Sequence, residues 1–263
     1  MQIFSAQGFA APRRFEGLIF DAGSTLIYFD ADWTETLPIQ DAALVNALQS
    51  AGLQPDWEAF LSRFRTHLQA YYAERETEFI EYTTAYILRA VLAEQGYPAI
   101  ADGVIQDALA ALYAVTQAHW KTEPEAHATL ESLQLQGYRL GLISNAGDDA
   151  DVQALLDQSD LRPYFEVILT SAAQGIRKPN PQIFWSALER MAIKPSQAAM
   201  IGDTLGADIL GAKNAGMYSI WITRHADTPA NRAHADTILP DAMIAHLGEL
   251  TQLLEQLKHP AIT

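Results

Sequence analysis

Cysteine is absent from the 263 residues. Its absence excludes a disulfide framework, a zinc–thiolate centre and a thiol nucleophile. Basic residues are scarce: 17 Lys and Arg stand against 32 Asp and Glu, a formal net charge of −15. A field of that sign argues against nucleic acid and against membrane as partners. It also repels small anions, so any phosphate site must be made locally positive by a metal ion or a well-placed lysine. No apolar run approaches the roughly 20 residues that span a bilayer. Arg13-Arg14 follows the mildly apolar start of the chain instead of preceding it, the reverse of a secretory signal. These features read as a cytoplasmic protein whose residues 1–16 are a leader without an assigned role. Nothing in the sequence specifies an oligomeric state. Apolar residues make up 49% of the chain, enough for a sizeable core in one large domain or a domain with an insert.

Two texture changes divide the chain. Leu18-Ile19-Phe20 runs into Asp21 and then a Gly23-Ser24-Thr25 turn. This reads as a buried strand ending in a carboxylate. A buried acid is costly unless its charge is used; the alternative is a turn or capping acid. Residues 26–29 read as a short extended flap, and 30–38 as a polar linker closed by Pro38. From Ile39 the pattern is helical. Between Trp57 and Gln95 there is no glycine or proline. Phe60, Phe64, Leu68 and Tyr71 form one apolar stripe and Ile80, Thr84, Ile87 and Val91 another. Glu74-Arg75-Glu76 is the expected break between them. A further helix starts near Ile105 and reaches about His119.

After Trp120 the pattern alternates. Strands are expected at 139–144, 165–169, 198–202, 218–222 and 237–239. Helices are expected at 124–137, 149–158, 181–191, 206–215 and, after the 237–239 strand, to about 258. Alternation with short loops implies a parallel sheet covered on both faces. The first strand is separated from the others by a helical block too long for an ordinary crossover. The expected fold is therefore α/β: a doubly wound parallel sheet, Rossmann-like, with an inserted all-helical cap domain. Residues 1–30 and 119–263 form the core and 31–118 the cap.

Ligands of such sheets bind at the carboxyl ends of the strands. Those ends carry Asp21, Ser144-Asn145 and Gly202-Asp203, with Asp208 shortly after and Lys178-Pro179 in an intervening loop. Singly, each has an ordinary structural reading as a cap, a turn or a solvated residue. Together they fall at one end of one sheet. Three converging carboxylates raise one another's pKa. A divalent cation relieves this, and oxygen ligands favour Mg²⁺.

Four segments carry a resemblance: Phe20-Asp21-x-x-x-Thr25-Leu26; Ile143-Ser144-Asn145; Gly175-x-x-Lys178-Pro179-x-Pro181-x-Ile183-Phe184; and Ile201-Gly202-Asp203-Thr204-x-x-x-Asp208. In this order they resemble the four motifs of the haloacid dehalogenase (HAD) superfamily, and the helical block resembles the cap of one of its subfamilies. The resemblance implies a hydrolase in which Asp21 is the nucleophile and a Mg²⁺ ligand. Gly23 then offers its backbone carbonyl to the metal. Ser144 and the backbone near Asn145 hold a phosphoryl group, and Lys178 neutralises charge on that group and on Asp21. Asp203 binds Mg²⁺; Asp208 binds it directly, through water, or acts by holding Lys178. The implied chemistry is an aspartyl-phosphate that water hydrolyses, and the implied partner is a small phosphorylated molecule.

One position departs from the pattern. Phosphatases of the superfamily usually carry a second Asp two residues after the nucleophile, where this chain has Gly23. The missing proton donor disfavours a phosphomutase and permits a 2-haloacid dehalogenase, whose leaving halide needs no acid. Asp203 and Asp208 speak for a metal-dependent phosphatase instead. The lack of any lysine before Lys121 speaks against a cap-lysine Schiff base. Asp30, Asp32, Asp148 and Asp149 are candidate stand-in acids, each with a solvated-loop alternative. A catalytically weak binding protein on the same scaffold is the remaining reading. Tyr71, Tyr72, Phe79 and Tyr82 either face the site or belong to a core stripe. His225 is either at the site edge or an ordinary loop residue.

Overall fold

The computed structural model describes residues 1–3 and 13–259; residues 4–12 of the expected leader lie outside the described residues. In chain order the elements are β1 (Gln2–Ile3), β2 (Gly17–Phe20), β3 (Ile27–Phe29), α1 (Trp33–Ser50), α2 (Trp57–Glu78), α3 (Thr84–Glu94), α4 (Asp102–Gln117), β4 (Trp120–Thr122), α5 (Ala126–Leu135) and β5 (Arg139–Ser144). They continue with α6 (Asp149–Gln158), β6 (Val167–Thr170), α7 (Ser171–Gln174), α8 (Pro181–Arg190), β7 (Ala198–Gly202), α9 (Leu210–Ala215), β8 (Tyr218–Ile222), α10 (Pro229–His234), β9 (Ala242–Ile244) and α11 (Leu250–Lys258).

A seven-stranded sheet runs β1-β9-β8-β7-β2-β5-β6. All its pairs are parallel except β1 with β9. Strand residues alternate between two cores. Leu18 and Phe20 join Leu140, Leu142, Ile201 and Ile220 under α5, α6 and α11. Ile19 joins Ile143, Leu169 and Met200 under α8 and α9. Both faces are covered, which is why the central strands are apolar throughout.

Helices α1 to α4 share a third core, with Leu44, Leu48, Phe60, Phe64, Leu88, Val91, Leu92, Ile105 and Leu109. The chain enters and leaves this block through an antiparallel ribbon, β3 on β4, pairing Ile27 with Thr122 and Phe29 with Trp120. The 79–84 segment stitches the block to the sheet side. Glu81 N–H donates to Gly175 O at 3.1 Å, Arg177 N–H to Phe79 O at 3.0 Å, and Thr84 N–H to Gly147 O at 2.8 Å.

Several expectations are corrected. The 30–38 segment is not all linker: α1 starts at Trp33 because the Asp32 carboxylate accepts from Thr34 N–H at 2.7 Å. Pro38 lies inside that helix, past its first turn, and so leaves out one N–H of the ladder. The α2–α3 break falls at 79–83, after Glu74-Arg75-Glu76. Phe79 adopts a left-handed φ of 54° there, and Thr83 caps α3 through Tyr86 N–H at 3.1 Å. Residues 237–239 form no strand. The last parallel strand, β9, follows Pro240, which has no N–H to give a ladder. Among the described residues no helix is long and apolar enough to cross a membrane.

Candidate active site

Strand β2 delivers Asp21 beyond its last ladder pair, with Asp21 N–H on Ile201 O at 2.9 Å. β5 delivers Ser144 and β7 delivers Asp203, both buried. A wide helical turn at Leu205–Ile209 then brings Asp208 back over the end of β7. Its Oδ2 accepts from Thr204 N–H at 2.9 Å. This return requires Gly202: a Cβ there would lie 2.3 Å from Asp208 Cγ.

Lys178 reaches the same point from the loop before α8 and is 2% exposed. Its Nζ donates to Asp21 Oδ1 at 2.5 Å and to Ile143 O at 2.8 Å. It also lies 2.7 Å from Asp208 Oδ1. Of the expected roles for Asp208, holding Lys178 is the one with a direct contact. Asn145 acts on the lysine too. Its Oδ1 accepts from Lys178 N–H at 2.8 Å and its Nδ2 donates to Lys178 O at 2.9 Å. The Asn145 side chain is thus engaged at both ends with the Lys178 backbone.

Oxygens of Asp21, Asp203 and Asp208 lie within 4.8 Å of one another. Against three carboxylates stands one ammonium, so full ionisation would leave a buried excess of two negative charges. Burial, more than any partner, lifts the Asp21 carboxyl to about 6; Lys178 opposes the shift and Asp208 adds to it. Asp203 is pushed well above the carboxylate range by burial and by Asp21 and Asp208. For Lys178, burial works against the charged form, but Asp208 and Asp21 outweigh it and raise the pKa. Buried, crowded, hard oxygen donors with uncompensated negative charge fit a divalent cation such as Mg²⁺.

These groups sit at the base of a cavity of about 620 Å³, the size range of small-molecule sites. Gly23 lines it but is not forced by sterics: an added Cβ would meet only the Trp120 ring, at 3.5 and 3.8 Å. The four candidate stand-in acids are engaged elsewhere. Asp30 pairs with Lys121. Asp32 caps α1 and Asp148 caps α6. Asp149 accepts from Thr170 Oγ1 at 2.6 Å. Tyr71, Tyr72 and Tyr82 line the cavity, whereas Phe79 and His225 do not. His225 instead contacts Glu123 at 2.6 Å and stacks on Tyr28.

The structure adds residues that sequence reasoning missed. Trp33 and Trp120 line the cavity, as does Asp151. The Asp151 carboxyl is lifted to about 6 by burial, against a hydrogen bond from Gln117. Glu81 and Arg177 form a buried ion pair at 3.3 Å between the helical block and the Lys178 loop. Glu81 also accepts from Ser171 Oγ at 2.7 Å and Tyr71 O–H at 2.5 Å. Ser171 Oγ in turn accepts from Ala146 N–H at 2.9 Å. Trp120, standing where helix gives way to strand, was the one with a visible signal.

Comparison with known proteins agrees with the fold. Residues 15–216 match the haloacid dehalogenase-like hydrolases. A glyceraldehyde 3-phosphate phosphatase of Pyrococcus furiosus is 28% identical over 252 residues, 94% of each chain. The enzyme of the same description from Pyrococcus abyssi is 30% identical over 74% of this chain and 80% of its own. The crystal structure of a 2-haloacid dehalogenase from Pseudomonas syringae is 28% identical, with a TM-score of 0.63 over 92% of this chain and 99% of that one. The chain belongs to the haloacid dehalogenase-like hydrolases.

Proposed function

We infer that the protein is a Mg²⁺-dependent phosphatase acting on a small phosphate ester. The observation that carries this is the buried excess of negative charge in the Asp21–Asp203–Asp208 cluster. Asp21, Asp203 and Asp208, with the Gly23 carbonyl, would hold the ion. When bound, Mg²⁺ would supply positive charge to a transferring phosphoryl group.

The chain's own residues do the rest. Asp21 attacks phosphorus and carries the phosphoryl group as an aspartyl-phosphate, which water then cleaves. Lys178, held between Asp21 and Asp208, offers its charge where charge develops on the phosphoryl oxygens. Ser144 and the main chain at Asn145 orient the group. Asn145 fixes the Lys178 backbone, so the ammonium is placed before substrate arrives. Gly23 contributes no proton, so the leaving oxygen must depart as a weak base or take a proton from elsewhere.

A second reading is a 2-haloacid dehalogenase, favoured by Gly23 because halide leaves without a proton. It leaves the charge of Asp203 and Asp208 without a use. One assay separates the two. Wild type should release phosphate from a panel of esters only with Mg²⁺, and Asp21→Asn should not. Equal background rates for both proteins refute the phosphatase reading. Metal-independent halide release from 2-haloacids establishes the second.

A further inference from the structure

Away from its acidic base, the cavity is walled by aromatic rings. Trp33, Tyr72 and Tyr82 come from the helical block and Trp120 from the β3–β4 ribbon. The tryptophans are held by Phe29, which stacks on Trp33 at 4.0 Å and meets Trp120 edge-on at 5.6 Å. Tyr82 is stacked on Tyr86 at 5.3 Å. Trp33 is nonetheless 48% exposed and Tyr72 50%. Rings fixed by neighbours yet left open to a cavity are surfaces for another planar group. Beside the nucleophile, the Trp120 ring edge fills the place to which a side chain at position 23 would extend. The wall there is a ring, not a proton donor.

We propose that the substrate is an aryl phosphate, with a planar aromatic ring bonded directly to the ester oxygen. The proposal rests on the phosphatase reading and names its substrate class. Two separate features select the same molecule. The rings suit a planar leaving group, and a glycine at position 23 favours one that departs unprotonated. A phenol has a pKa of roughly 10, like tyrosine. An alkyl alcohol lies near water, roughly 16. An Asp21 oxygen bonds to phosphorus while the phosphorus–aryl oxygen bond breaks, and its electron pair leaves on the phenolate. The phenolate takes a proton from solvent. Water then bonds to phosphorus, the Asp21–phosphorus bond breaks, and inorganic phosphate and the carboxylate are released, water's protons passing to phosphate and bulk.

Three probes with the full chain and Mg²⁺ separate the two features. Phenyl phosphate has a ring and a weakly basic leaving group. Benzyl phosphate has a ring and an alkoxide leaving group. Acetyl phosphate has a weakly basic leaving group and no ring. The expected kcat for phenyl phosphate exceeds that for benzyl phosphate by about 10²-fold or more, the scale of a missing general acid, at similar KM. Acetyl phosphate should show a KM about tenfold above that of phenyl phosphate, the scale of an aromatic contact. That gap should close in Trp120→Leu and, should that variant misfold, in the exposed Trp33→Leu. Equal kcat for benzyl and phenyl phosphate overturns the proposal. Loss of benzyl turnover in Asp151→Asn would then identify the proton donor. Equal KM for acetyl and phenyl phosphate overturns it as well. Phosphate release from none of the three overturns the proposal, while Mg²⁺-dependent, Asp21-dependent release from other esters of the panel would still support the phosphatase reading.

Discussion

Removing the Glu81 carboxylate should cost far more than removing a surface charge. Glu81 is 2% exposed and Arg177 6%, so neither charge is well solvated. One Glu81 oxygen accepts from Tyr71 O–H. The other accepts from Ser171 Oγ and Arg177 Nη1. Breaking a buried pair by deleting one partner typically costs about 3–5 kcal/mol, because the other charge stays buried. Arg177 Nη1 keeps Tyr71 O–H at 3.2 Å, which places Glu81→Ala at the lower end, about 3 kcal/mol. Replacing both partners by apolar residues removes the stranded charge, so Glu81→Leu with Arg177→Met should recover most of the loss. Urea unfolding followed by the fluorescence of the five tryptophans measures Glu81→Ala and, for the cycle, wild type, Glu81→Leu, Arg177→Met and the double variant. Catalysis should suffer in the same variant. Glu81 holds Ser171, which holds Ala146 N–H beside Asn145, and Arg177 immediately precedes Lys178. A kcat loss with a smaller change in KM is expected. A Glu81→Ala protein within about 0.5 kcal/mol of wild type, and additive with Arg177→Met, would refute the reasoning.

Three further outcomes follow from contacts around the site. Gly202→Ala should lower kcat by about 10²-fold or more, because the new Cβ collides with Asp208 and moves it off Lys178; circular dichroism should remain native. Asn145→Ala removes both hydrogen bonds to the Lys178 backbone and should cost about 1–3 kcal/mol in urea unfolding, with a fall in kcat. Asp151→Asn should stabilise the protein by on the order of 1–2 kcal/mol at pH 7. Folding raises this carboxyl from 3.8 to about 6, so the folded state binds the extra proton. The penalty for ionising it is absent below the unfolded pKa and grows as pH rises through 6. The stability difference between variant and wild type should therefore vanish near pH 4, and a constant difference across pH would show another cause.

The strands β5, β7 and β8 were legible to the residue. Each is a largely apolar run bounded by turn residues, because both sheet faces are covered. Reading the strand ends then located Asp21, Ser144, Asp203 and Asp208 together, since parallel strands all finish on one side. Boundaries that depend on a single side-chain contact were not legible. The α1 start is set by the Asp32 cap, and nothing in the local pattern overrules Pro38. The α2–α3 break depends on Phe79 taking a positive φ, which a non-glycine residue does not advertise. The clasp was least visible of all. Glu81 and Arg177 lie 96 positions apart, and each alone reads as a surface charge.

The strongly acidic chain can handle phosphate only by local compensation. Among the acids and bases lining the cavity, Asp21, Glu81, Asp151, Asp203 and Asp208 oppose Arg75, Arg177 and Lys178. That is five negative charges against three positive, with Arg177 already committed to Glu81. The divalent cation proposed at the three strand-end carboxylates would bring the sum to zero, at the place proposed for the phosphoryl group. The helical block adds little positive charge at that point; it brings tyrosines and, from α1, Trp33, while the ribbon brings Trp120. Charge recognition thus belongs to the sheet ends and shape recognition to the segments folded over them. The two meet at Gly23, where an aromatic edge stands beside the nucleophile. A substrate that suits both halves carries its phosphate on a flat, weakly basic leaving group.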